Sequence, residues 1–154
     1  MKKTKKHGTL LFVAALMMGI MTSCKDEGPH NDPIVRFTST INSQNTQPRA
    51  TSSGQASGVF EFNRDTRNLT YNITYQGLTP TAIELRSAEP YWEVGPIEHN
   101  IAATGSSPVT GSVTLTPQQA RLLRVGGMYI NIPTAQYRFG EVRGQIVLEK
   151  FGND

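Results

Sequence analysis

The chain has 154 residues, 37% of them hydrophobic and 18% charged, and its single cysteine rules out an internal disulfide, so the fold must rest on packing alone. Its net charge of +3 comes from 15 Lys and Arg against 12 Asp and Glu, but four of those lysines lie in the first 23 residues, which hold no acid. Without that segment the balance is 11 against 12, or −1, which argues against nucleic acid as a partner, because neutralising phosphates takes a basic face.

Lys2, Lys3, Lys5 and Lys6 precede an apolar run over residues 10–20, and small residues follow at Thr22-Ser23. That order is a secretory signal, and the run is too short for an ordinary membrane span. Ser23-Cys24 resembles the lipobox of bacterial lipoproteins. The resemblance implies a signal peptide over 1–23, a lipid on Cys24, and a polar tether over 24–32. Acyl chains on one cysteine would anchor the protein to a membrane, each buried methylene contributing about 0.8 kcal/mol. Lys25-Asp26-Glu27 resembles the short acidic tag that directs some Gram-negative lipoproteins to the cell surface. The expected location is therefore the outer membrane, facing outward, with a periplasm-facing position as the alternative.

Residues 33–151 are enough for one domain with one core. Ile34-Val35-Arg36-Phe37-Thr38 reads as a first strand, and the Ser-, Thr-, Gln- and Asn-rich stretch 42–57 as a long loop or weakly specified edge. Phe60 and Phe62 alternate with polar neighbours. After turn residues 63–68, Leu69, Tyr71, Ile73 and Tyr75 do the same, which predicts a hairpin with one apolar face, ended by Gly77. Further strands are expected around Ile83 and Leu85, over 109–115, over 128–133 and over 141–149. In the last of these, Val142, Ile146 and Leu148 share one face and Glu141, Arg143 and Gln145 the other. Thr116-Pro117 reads as the start of a short helix that docks Leu122 and Leu123 and stops at Gly126-Gly127. Some seven short strands and one helix predict an antiparallel all-β sandwich or barrel.

Several patterns then stand in order: Phe60-Glu61-Phe62-Asn63, Thr66-Arg67-Asn68-Leu69-Thr70-Tyr71, Gly77-Leu78-Thr79-Pro80, Gly111-Ser112-Val113-Thr114-Leu115-Thr116, Tyr129-Ile130-Asn131-Ile132-Pro133-Thr134 and Gly140-Glu141-Val142-Arg143-Gly144. Together they resemble the CHRD domain, named for chordin, over residues 59–148. The resemblance implies an immunoglobulin-like Greek-key fold and no assigned chemistry. It also implies histidines at the positions that Glu84, Arg86 and Pro133 hold here, on the faces opposite the apolar ones. A metal site of that kind needs nitrogen ligands, so no metal and no cofactor is expected, and Glu84 and Arg86 are expected to form a solvated pair.

His30 falls in the tether and His99 in an expected loop. No nucleophile motif stands out, and Glu93 and Glu98 flank what reads as a turn rather than a hydrolytic cleft. Tyr91-Trp92, between Pro90 and Pro96, either stacks on sugar rings or anchors a protein interface, or Trp92 plugs an end of the sandwich. Glu141 and Arg143, with Asn131 near them, form either a recognition patch or a network pinning strand ends. The expectation is a non-catalytic binding or adhesion module for a glycan or protein. A structural or accessory subunit of an envelope complex is the alternative, and a hydrolase or metal-dependent redox protein is less favoured.

Overall fold

The computed structural model describes residues 32–102 and 106–149. The signal segment, Cys24, His30 and all of the tether except Asp32 lie outside the described residues. Nine strands are present among them: β1 (Ile34–Asn42), β2 (Gln55–Asn63), β3 (Asn68–Gln76), β4 (Ile83–Ser87), β5 (Ile97–Ala102), β6 (Val109–Thr114), β7 (Met128–Ile132), β8 (Val142–Gln145) and β9 (Val147–Leu148). One α-helix, α1 (Pro117–Arg124), stands between β6 and β7.

All strand pairs are antiparallel and belong to one sheet in the order β5-β4-β7-β8-β1-β2-β3-β6, with β9 also on β1. The sheet curls until its two edges, β5 and β6, come into contact. Of the two expected arrangements, sandwich or barrel, the strands take the barrel, not quite closed.

Alternation sets the core. In β2 every second residue from Ala56 to Phe62 is buried, and β3 buries Leu69 and Ile73 on the same side. Phe37, Ile41, Ile83, Leu85, Ile130, Ile132, Val142 and Ile146 complete the interior. A slip of one residue would turn each such row to solvent, so the register is strongly specified. Gly77 ends β3 with φ +67°, a conformation that costs glycine little.

Helix α1 begins as its sequence predicts. Thr116 Oγ1 accepts from the Gln119 N–H at 3.2 Å, and Gln119 Oε1 accepts from the Thr116 N–H at 2.9 Å. Leu122 and Leu123 pack inward, and Gly126 with φ +75° ends the helix. Gln119 Nε2 also donates to Glu98 Oε2 on β5 at 2.5 Å. Because α1 follows β6 directly, this bond bridges the seam between the two edge strands.

Two sequence expectations are corrected. Residues 97–102 form β5, so His99 is on a strand and not in a loop. Leu148 is 56% exposed and does not share the buried face of Val142 and Ile146. β7 begins at Met128, whose carbonyl accepts from the Ile146 N–H. Beyond that point the last strand pairs with β1 alone.

Candidate functional site

On β4, β7 and β8 the residues opposite the core form two rows. One runs Glu84–Asn131–Arg143 and the next Arg86–Tyr129–Gln145. The outer face of an antiparallel sheet can stand in water. Here Glu84, Asn131 and Arg143 are only 7%, 4% and 3% exposed, because loops 43–54, 88–96 and 133–141 fold over them. The expected solvated Glu84–Arg86 pair is therefore a largely buried one.

Burial on that scale requires partners. Glu84 Oε2 accepts from Arg86 Nε at 2.7 Å and from Asn131 Nδ2 at 2.9 Å. Asn131 Nδ2 also donates to the Phe139 carbonyl at 3.1 Å. The loop comes so close there that a Cβ on Gly140, whose φ is +135°, would fall 2.2 Å from Asn131 Oδ1. Arg143 lies over the Tyr129 ring, its Cζ 3.7 Å from the centroid, and donates from Nη2 to the Tyr91 carbonyl at 2.6 Å.

Loop 88–96 is held by the same side chains. Arg86 Nη1 donates to the Gly95 carbonyl at 3.0 Å, and the Gly95 N–H donates to the Tyr129 hydroxyl at 3.0 Å. With the Arg143–Tyr91 bond, the loop backbone is fixed at both ends by residues of the sheet. Its tip is left outside: Tyr91 is 59% and Trp92 58% exposed. Their rings meet edge to face, centroids 5.0 Å apart at 81°. Trp92 does not plug the barrel.

Beside the aromatic pair opens a cleft of about 260 Å³. Tyr91 and Trp92 line one part of it and Arg143 another, with the amides of Gln44, Asn45, Gln47 and Gln145 completing the wall. A second hollow borders Trp92 on the side of Glu93 and Val94. Burial lowers the pKa of the Arg143 guanidinium from its ordinary value; the neighbouring Tyr129 opposes that shift and the Arg86 charge adds to it. Arginine nevertheless stays protonated.

The structure thus brings Tyr91, Trp92 and Arg143 together, with Asn131 one strand behind Arg143. It places Glu141 elsewhere. Glu141 Oε1 accepts from Ser52 Oγ at 2.5 Å and Oε2 from Thr134 Oγ1 at 2.6 Å, tying two loops together. The Pro133 carbonyl accepts from the Thr81 N–H at 2.9 Å. Both carboxylate oxygens of Glu98 are engaged by Ser87 and Gln119, and His99 Nε2 stands 3.4 Å from Gln119 Oε1. Among the described residues, no group of three or more His, Cys, Asp and Glu is placed to hold a metal ion. Sequence reasoning missed Gln44, Asn45 and Gln47 as site residues, whose only signal was the amide-rich composition of 42–57, and placed Gln145 on the face of Arg143 without assigning it to the site.

A family model described as the CHRD domain matches residues 37–146. The match starts on β1, earlier than the resemblance alone indicated, and spans every residue that lines the cleft. No curated protein and no solved structure matches the chain.

Proposed function

Since the chain belongs to the CHRD-domain family, we propose that it is a non-catalytic binding module, held at the outer membrane by a lipid on Cys24 and turned toward the cell exterior. The ligand is a glycan or a protein, taken up at the Tyr91–Trp92 cleft. One observation carries the reading: two large aromatic rings stand in solvent on a loop whose backbone is tied down by buried side chains. Rings exposed without such support are ordinary surface, whereas rings held rigidly beside a polar cleft suit stacking on a flat apolar face.

Trp92→Ala tests it. The ring is mostly exposed, so the unfolding free energy should change by no more than about 0.5 kcal/mol. Binding to a glycan or protein array should fall at least about five-fold, since a stacking anchor contributes on the order of 1–3 kcal/mol. Unchanged binding would remove the cleft from consideration. Protease treatment of intact cells addresses the location: digestion of this protein, with a periplasmic lipoprotein spared, supports the outward orientation.

A second reading is an accessory subunit of an envelope complex. It is favoured by an exposed apolar row in which Val59 and Val147 flank Thr38 across β2, β1 and β9. Val59 is 53%, Val147 47% and the adjacent Leu148 56% exposed. Co-purification of a partner released by Val59→Glu, with Trp92→Ala silent, would favour this reading.

A further inference from the structure

Arg143 stands out among the groups that line the cleft. It is 3% exposed, yet among the described residues no carboxylate pairs with it. The nearest acid in its row, Glu84, is taken by Arg86 at 2.7 Å. A guanidinium carries five N–H donors, and Arg143 gives one of them to the Tyr91 carbonyl. The Tyr129 ring covers one face of the group with a cation–π contact. The remaining donors are not sealed in the protein: the only buried side-chain polar atom without a hydrogen bond among the described residues is Ser39 Oγ. Arg143 meets open space where it lines the cleft.

A buried, unneutralised cation is costly unless something supplies the opposite charge. The planar fork of arginine matches a carboxylate in bidentate geometry. The rest of the wall fits a sugar: an aromatic pair for the ring face, and amides, which both donate and accept, for hydroxyls. An acidic peptide would also satisfy the charge, and is the competing occupant that the test separates from a sugar.

We propose that this cleft selects carboxylated sugars, Arg143 receiving the carboxylate while Trp92 stacks on the ring. The inference rests on the reading of the cleft as a binding site and adds the chemical class of its ligand. Uronic and sialic acids share the required group.

The test compares matched probes on the purified protein: trigalacturonate against its carboxyl-reduced form, and 3′-sialyllactose against lactose. One acidic member should bind at least about ten-fold more tightly than its neutral partner, as a charge-assisted hydrogen bond would produce. Which pair shows the difference tells uronate from sialate. The difference should persist at high salt, because a buried charge is little screened. Arg143→Lys should weaken the acidic probe by much more than its neutral partner, so that most of the difference is lost, and Trp92→Ala should weaken acidic and neutral probes by a similar factor. The comparison on the unaltered protein stands even if Arg143→Lys does not fold.

Equal binding of acidic and neutral probes, lost in Trp92→Ala, would overturn the carboxylate inference and leave the binding site standing. No binding of any of these sugars would overturn the carboxylated-sugar inference, and the binding-site reading would then stand or fall with the Trp92→Ala array test. Tighter Arg143-dependent binding of an oligoglutamate peptide than of any sugar would overturn the assignment to carbohydrate.

Discussion

At the scale of the residue, the buried polar groups are nearly all satisfied, and the exception is instructive. Ser39 is 3% exposed and its hydroxyl has no partner. Burying an unpaired hydroxyl costs on the order of 1–3 kcal/mol. Ser39→Ala is therefore expected to be neutral or to stabilise by about 1 kcal/mol, read as a higher urea midpoint at unchanged slope. Glu84 and Arg143 show what single-residue reasoning could and could not reach. Alternation places both opposite the core, which is correct, but alternation equates that face with water. Their burial comes from loops distant in the chain, such as the Phe139 and Tyr91 segments, and nothing in the neighbourhood of Glu84 announces that cover.

At the scale of the element, strands with clean alternation, such as β2 and β3, were legible, as was α1, whose cap, proline and glycines mark both ends. β5 was not. Its burial pattern is irregular and its pairing with β4 is interrupted by two register shifts, and Ile97-Glu98-His99-Asn100-Ile101 holds only two strongly apolar residues, too few to mark a strand. The loop before it is specified by space as well as by its bonds to Arg86, Tyr129 and Arg143. A Cβ on Gly95 would lie 1.5 Å from the Ser87 carbonyl oxygen and 2.6 Å from its carbon, both backbone atoms that cannot swing aside. Gly95→Ala should thus displace loop 88–96, lowering stability by about 1–3 kcal/mol, the usual cost of overpacking. Limited proteolysis should show new cleavage within residues 90–96, and any ligand that depends on Trp92 should be lost with it.

At the scale of the whole molecule, composition and strand spacing were enough to indicate a single antiparallel β-domain, but not which strands are neighbours. Pairing β1 with the last strand joins residues about a hundred positions apart, and no local pattern encodes that choice. The incomplete closure has a measurable counterpart. Gln119→Ala removes both a capping partner and the bond to Glu98 across the seam, and should cost about 2 kcal/mol. Amide exchange should quicken in β5 and β6 first, with β1 and β2 the last to exchange. The central place of β1 also bears on how the molecule would behave under load. A pull entering at residue 32 acts along the axis of β1, while its hydrogen bonds to β2 run across that axis. All nine register positions of that pair, Ile34 to Asn42, would then resist together in shear instead of peeling one at a time. A domain tethered through this strand and gripping its ligand at Trp92 would be built to hold on under tension.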